Sequence, residues 1–429
     1  MAMALSNQII RDYKTILKEE LLVAMGCTEP ISIAYAASIL RIALGALPER
    51  IHAELSGNII KNVKSVIVPA TGGLHGIKAA ISAGIIAAAP EKKLEVLSVL
   101  TEEKQKAVAA YLEQSRISVT EMVDTIHPFD LRLTGFSGDD EAVVRIQKNH
   151  TNVILVSRNG EDITVDFLTA QEKEENLRTD RSVLNVEDIV AFAETVDLED
   201  IRPLLLRQIE MNMAIAEEGL RGEWGASIGK VLYQNGNASL RDRARAYAAA
   251  GSDARMSGCE MPVAIISGSG NQGMTASIPV VVYAREMGVD EETMLRALLV
   301  SDLMTIHQKT GIGCLSAYCG AISAGCGAGC GICYLNGGRF YEIAHTLVNA
   351  VAILSGTICD GAKPSCAAKI AMAVEAGILG YEMMRADKQF YGGDGIITKG
   401  VENTIRNIGR LARDGMTETD RQIIKIMLQ

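Results

Sequence analysis

Cys319-Gly-Ala-Ile-Ser-Ala-Gly-Cys326-Gly-Ala-Gly-Cys330-Gly-Ile-Cys333 is the stretch whose reading decides the second half of this chain. Its four cysteines are spaced by seven, four and three residues, which on a helix brings them to one face. With Ala321, Gly325, Gly329 and Gly331 between them, they predict a small-residue stripe packed closely against another helix. Buried, reduced cysteine behaves there as a small hydrophobe. Cys326-x-x-x-Cys330-x-x-Cys333 also has the spacing of the cluster motif in radical S-adenosylmethionine enzymes. That motif sits early in a β/α barrel, whereas this one falls two-thirds along a helical region, so packing is the preferred reading.

Outward from the stripe the chain divides. From about residue 183 to the end, strand signals are scarce and helical periodicity dominates, with helices expected at 293–306 and 366–377. Residues 51–182 read differently. Short strands are expected at 52–55 and 65–68, a glycine-started helix at 72–89, a hairpin of 141–147 and 152–157, and a further strand at 163–168. Residues 1–50 read as two helices, 6–25 and about 29–44, packing back onto the helical part. The expected fold class is therefore α+β: a large, mostly helical domain (183–429), an inserted smaller α/β domain with a mixed sheet (51–182), and N-terminal helices (1–50).

Composition narrows the function classes. Of 429 residues, 48 % are hydrophobic but only 4 % aromatic, so the core is built of small side chains. A net charge of −10 argues against a nucleic-acid partner, which needs a basic face. The most apolar windows, 79–89 and 344–358, fall short of a membrane span, and no export signal is visible at the N-terminus. A cytoplasmic protein with reduced thiols is expected. Seven of its nine cysteines lie between Cys314 and Cys366, which points to metal or redox chemistry rather than disulfides.

Cys359-Asp-Gly-Ala-Lys-Pro-Ser-Cys366 holds two cysteines on a loop, since Gly361 and Pro364 break a helix. Ser365 is placed to cap the helix that follows, with Cys366 in its first turn. The pair can turn both sulfurs to one metal, or simply pack. Gly26-Cys27-Thr28-Glu29-Pro30 puts Cys27 just before a helix start capped by Thr28, with Pro30 in an early position. There the helix dipole favours a thiolate, against the plain alternative of an inert buried cysteine.

Gly268-Ser-Gly270-Asn-Gln-Gly273 matches the dinucleotide fingerprint but is not followed by a second parallel strand, so a small-anion site is preferred. Ser267, Ser269, Asn271 and Gln272 supply its polar groups. Asn58 at a strand end, and Lys309 with His307 at a helix end, are further candidates for substrate contacts. His75, His127, His150 and His345 show no ligand spacing and are expected to be structural or superficial.

Four blocks taken together, namely Gly26–Pro30, Ser267–Gly273, Lys309–Gly320 and Cys359–Lys369, resemble the L-cysteine desulfidases and the bacterial proteins grouped with them. More distantly they are similar to the α-chain of iron–sulfur L-serine dehydratase. The resemblance covers nearly the whole chain, with the blocks in the family's order. It implies a [4Fe–4S] cluster on Cys319, Cys359 and Cys366 with one iron open to substrate, and Cys27 as the base, with Thr28 and Glu29 beside it as substrate contacts. It further implies β-elimination of sulfide from L-cysteine, or of water from L-serine, without pyridoxal phosphate. Cys314, Cys326, Cys330 and Cys333 fall outside that ligand set. Cys359 and Cys366 are closer together than the paired cysteines of the serine dehydratases, which favours cysteine as substrate. The expected partners are a small amino acid and a second copy of the chain.

Overall fold

The computed structural model describes residues 5–168, 178–234, 237–313 and 315–428, and in it the chain is mostly helical with a smaller α/β portion, as expected. Cys314 and most of the charged stretch after residue 168 lie outside the described residues. Among the described residues no helix is long and apolar enough to cross a membrane.

The sheet has six strands in the order β3 (Arg116–Glu121), β2 (Arg50–Leu55), β4 (Asp130–Ser137), β5 (Asp140–Gln147), β6 (Val153–Arg158) and β7 (Glu161–Asp162). It is mixed: β2 and β3 run parallel, and every other pairing is antiparallel. Alternation along β4 and β5 turns Leu131, Leu133, Val144 and Ile146 into the core. The helix Thr28–Leu44 lies on that face, against β4, β5 and β6. It buries 15 of its 17 residues, so it is a core helix with no solvent side. This corrects the expectation that both N-terminal helices join the helical part. Only Asn7–Glu20 does, ending before β1 (Val23–Met25) instead of continuing to residue 25.

Other local expectations give way to side-chain hydrogen bonds. No strand forms at 163–168. Asp162 Oδ1 accepts from the Thr164 backbone N–H (2.9 Å) and hydroxyl (2.6 Å), turning the chain into a short helix, Thr164–Phe167. Residues 65–68 carry only the isolated bridge Ile67–His75. Ser56 opens a helix, Gly57–Val63, through its carbonyl, which accepts from the Ile60 N–H (3.2 Å), while its hydroxyl donates to the Pro128 carbonyl (2.7 Å) and so does not cap.

The small-residue stripe forms the axis of the helical part. Helix Gly320–Leu335 packs against Glu291–Ile312, Cys366–Arg385, Gly270–Met287 and Phe340–Leu354. A Cβ at Gly325 would strike the Ala373 carbonyl, and one at Gly377 would strike the Gly325 carbonyl, so the helix containing Cys366 lies backbone to backbone on the stripe. Cys326, Cys330 and Cys333 are fully buried in this core. Burial pushes the Cys326 thiol up to about 12 and the Cys333 thiol up to about 11. They are packing residues.

A two-stranded ladder joins the ends of the chain's two halves. β1 pairs antiparallel with β8 (Pro262–Ala264), Ala24 opposite Val263. β8 is the short strand before the glycine-rich turn, and among the described residues it has no parallel neighbour, so topology argues against the dinucleotide reading. The ladder sets the Cys27 block beside that turn.

Candidate active site

Both strands of the ladder run into helix starts. Cys27 is the N-cap of Thr28–Leu44 and Ser269 is the N-cap of Gly270–Met287. Gly26 has φ +63, and a Cβ there would strike the Pro69 ring, so only glycine permits the approach. The Thr28 hydroxyl donates to the Gly268 carbonyl (2.6 Å), locking the two turns together. A second pair of segments closes the opposite side. Cys319 N–H donates to the Thr357 carbonyl (3.1 Å) and Cys359 N–H to the Ala317 carbonyl (2.6 Å), with Tyr318 bridged to Ile358. Cys319 is the N-cap of Gly320–Leu335, and Cys366 is the first residue of Cys366–Arg385.

Between them lies a cleft of about 740 Å³, with Cys27, Cys319, Cys359 and Cys366 all on its walls. Burial, then the neighbouring Cys359 thiol, pushes Cys319 up to about 12. Burial raises Cys366 in the same way, and Cys359 adds to it. Lys369, also on the wall, donates to Asp360 (2.5 Å) and to the Ile358 carbonyl (2.8 Å) beside Cys359. Three soft sulfur donors on two bridged segments and a helix start suit iron or zinc. Among the described residues no three Cys, His, Asp or Glu side chains converge on a single ion. A polynuclear iron–sulfur group asks for a different arrangement, in which each thiolate takes its own iron and the donors face a shared space.

Cys27 is held as a thiol. Burial pushes it well above its ordinary value, and the Glu29 carboxylate adds to that, outweighing Arg255 and the helix end. Its Sγ donates to Glu29 Oε2 (3.1 Å), and Asn62 Nδ2 donates to Oε1 (2.9 Å). Burial pushes the Glu29 carboxyl up, but nearby His150, the Cys27 bond and Arg255 outweigh it and hold it below the ordinary carboxylate range. Burial also draws the His150 imidazole below its ordinary value, against the pull of Glu29.

The sequence-expected residues sort themselves by this geometry. Glu29, Ser269, Asn271, Gln272 and Lys309 line the cleft. Thr28 stands behind its wall on the Gly268 carbonyl, and Ser267 faces away into a neighbouring cavity. Asn58 is a correction. It lies on the Gly57–Val63 helix, outside the cleft walls, and Asn62, one helical turn further on, takes the place expected for it.

Two residues were missed. His150, expected to be structural or superficial, is buried beside Glu29. Arg255 is 3 % exposed at the end of helix Leu240–Met256. Its Nε donates to the Gly26 carbonyl (2.9 Å) and its Nη1 to Asn271 Oδ1 (3.1 Å), while Nη2 is buried with no hydrogen-bond partner among the described residues. Its signal in the sequence is a lone Asp253–Arg255 pair in the small-residue run 248–256.

Residues 91–425 match the family model for the serine dehydratase alpha chain, and the chain belongs to that family. Within it, the chain is similar over its whole length to UPF0597 proteins. It is 53 % identical over 429 residues to one from Desulfitobacterium hafniense, covering 100 % of this chain and 99 % of the relative. It is 44 % identical to one from Treponema denticola (100 % of each) and 46 % identical to one from Finegoldia magna (98 % and 100 %). The kinship expected from the four motif blocks is thereby shown.

Proposed function

We propose that this chain is an iron–sulfur-dependent β-eliminating lyase that converts L-cysteine to sulfide, ammonia and pyruvate. The observation that carries the reading is the facing of Cys27–Glu29 across one cleft by Cys319, Cys359 and Cys366, with an unsatisfied arginine between. The three cysteines would hold a [4Fe–4S] cluster. Such a group, when bound with one iron lacking a protein ligand, supplies a Lewis acid for the substrate's β-substituent.

The chain's own residues do the rest. Arg255 Nη2 and the first N–H groups of helix Gly270–Met287 take the α-carboxylate. Glu29 and Asn62, whose Oδ1 is buried without a partner among the described residues, face the α-ammonium. Cys27 Sγ, held against Glu29, is the group placed to remove the Cα proton, which it does in its thiolate form. The Cα–H electron pair becomes the Cα–Cβ double bond as hydrosulfide leaves, giving aminoacrylate, which water converts to pyruvate and ammonia. Burial and the Glu29 carboxylate oppose ionisation of Cys27, and the Arg255 charge and the helix end favour it. The family's name favours a second reading in which L-serine is the substrate and water the leaving group.

Anaerobically reconstituted protein is assayed with each amino acid. Sulfide from cysteine supports the first reading, and pyruvate from serine alone supports the second. Neither product from protein that holds iron and acid-labile sulfide sinks both. Cys27→Ala is expected to abolish turnover and retain the iron, whereas Cys359→Ala loses the iron. Loss of iron in Cys326→Ser instead would overturn the ligand set.

A further inference from the structure

The loop that carries Cys359 and Cys366 is held by two lysines that share one carboxylate. Lys369 Nζ donates to the Ile358 carbonyl (2.8 Å) and to Asp360 Oδ1 (2.5 Å), so a single ammonium grips the chain on both sides of Cys359. Lys363 pairs with the same Asp360 oxygen and donates to the Gly361 carbonyl (3.4 Å). Among the described residues no other acid pairs with either lysine. Two ammoniums on one carboxylate leave the trio with a net positive charge.

That charge stands beside the sulfurs. Lys369 follows Cys366 by three residues on helix Cys366–Arg385, which puts both on one side of it, and it lines the cleft with Cys319, Cys359 and Cys366. Burial raises the Cys319 and Cys366 thiols most, and the Lys369 charge is among the influences that lower both. Its side chain is partly buried, where salt screens a charge less than at the surface. Holding a loop needs only hydrogen bonds, and a surplus of charge does something further. Three thiols that take up a divalent metal ion release their protons, and the complex they form is anionic. A fixed cation beside it stabilises that charge, and a fixed anion opposes it.

We propose that Lys369 is a positioning residue of the sulfur triad, the fixed counter-charge to the metal-bound thiolates of Cys319, Cys359 and Cys366, with Asp360 setting how much of that charge reaches them. The assignment rests on the ligand set of the lyase reading and adds to it the group that balances the charge of the sulfurs.

Cadmium is titrated anaerobically into the reduced, metal-free full chain at neutral pH, and the ultraviolet absorption of cadmium thiolates reports the site. Lys369→Gln is expected to weaken binding about tenfold or more, the effect of one unit charge at close range. Asp360→Asn breaks the same grip but leaves both cations unopposed, and it is expected to tighten binding. Opposite signs are the mark of charge, because a loosened loop weakens binding in both variants. Lys369→Arg is expected to stay near the parent. Lys363→Gln leaves the Lys369 grip on Ile358 in place and is expected to weaken binding as Lys369→Gln does, so the result does not hang on the folding of one variant. Any outcome other than tightening in Asp360→Asn beside weakening in Lys369→Gln overturns the proposal. Failure of the parent to bind cadmium through Cys359, judged against Cys359→Ala, overturns the ligand set and this assignment with it. Turnover of cysteine and serine by reconstituted protein is read separately, so shifts of opposite sign without turnover sink the lyase and leave the counter-charge standing.

Discussion

Arg255 carries the most specific prediction at the scale of single residues. Its Nε is committed to the Gly26 carbonyl and its Nη1 to Asn271, which leaves Nη2 for a substrate carboxylate. A carboxylate is bound alike in ground and transition state, so its loss falls on KM more than on kcat. Arg255→Met is expected to raise KM roughly 10- to 100-fold, the worth of one charged hydrogen bond, with kcat changed far less. Arg255→Lys is expected to restore little, because an ammonium cannot reproduce the fork that reaches both Gly26 and Asn271. Steady-state kinetics decide this, and an unchanged KM would remove Arg255 from the binding role. The cysteines and the glycine-rich turn were legible in the sequence because each is a local pattern. Arg255 and His150 were not, because what marks them is burial, and single residues carry no period from which burial can be read.

Helix packing makes two further predictions, both at the scale of elements. Gly377 opposes the Gly325 carbonyl and the Gly329 nitrogen, where a methyl group has no room. Gly377→Ala is expected to push helices Gly320–Leu335 and Cys366–Arg385 apart at about 1–3 kcal/mol, lowering the calorimetric unfolding midpoint. An unchanged midpoint would mean that the stripe tolerates a wider spacing. The helix Glu291–Ile312 carries the second case. Asp302 is fully buried with one hydrogen bond, from Gln208 (3.0 Å), and burial raises its carboxyl to about 8 against that bond's lowering effect. The unfolded group titrates near 4. Between those values the folded chain binds more protons than the unfolded one, so the group's contribution is full below about pH 4 and is lost as pH rises to about 8. The slope is at most about 1.4 kcal/mol per pH unit. Asp302→Asn removes it, so the variant's unfolding midpoint is expected to exceed the parent's by a margin that grows from pH 5 to pH 8. An equal margin at both would show that Asp302 is ionised in the fold. The stripe was readable because 3.6-residue periodicity survives in any close-packed helix. The strand at 163–168 was misread because one Asp162 side chain overrode the local β-propensity.

The cleft is a property of the whole molecule. Its walls come from residues 27 to 370, and no local pattern predicts that Cys27 faces Cys359. What brings them together is a small number of long-range ties, of which β1–β8 is one and the C-terminal helix Thr417–Leu428 another. Lys61, 2 % exposed, donates to Asp420 Oδ1 (2.5 Å) and to the Cys359 carbonyl (3.3 Å), linking that last helix to the loop that carries the cysteine. The Lys61 carbonyl also fills the space a Cβ would need at Gly361. A buried ion pair of this kind is strongly asymmetric to mutation. Removing one partner leaves a charge buried alone at about 3–5 kcal/mol, whereas replacing both by apolar groups is far milder. Asp420→Asn is therefore expected to destabilise the chain more than the double change Lys61→Met with Asp420→Leu. The double change removes the donor to the Cys359 carbonyl, and Asp420→Asn unties that donor from the last helix, so both are expected to speed alkylation of Cys359 by iodoacetamide, read by peptide mass spectrometry on metal-free protein. Cys330, buried in the helical core, serves as the internal control and is expected to stay unreactive. If Asp420→Asn destabilises the fold but leaves the Cys359 rate unchanged, the C-terminal helix supports the fold and has no part in positioning the cysteine loop.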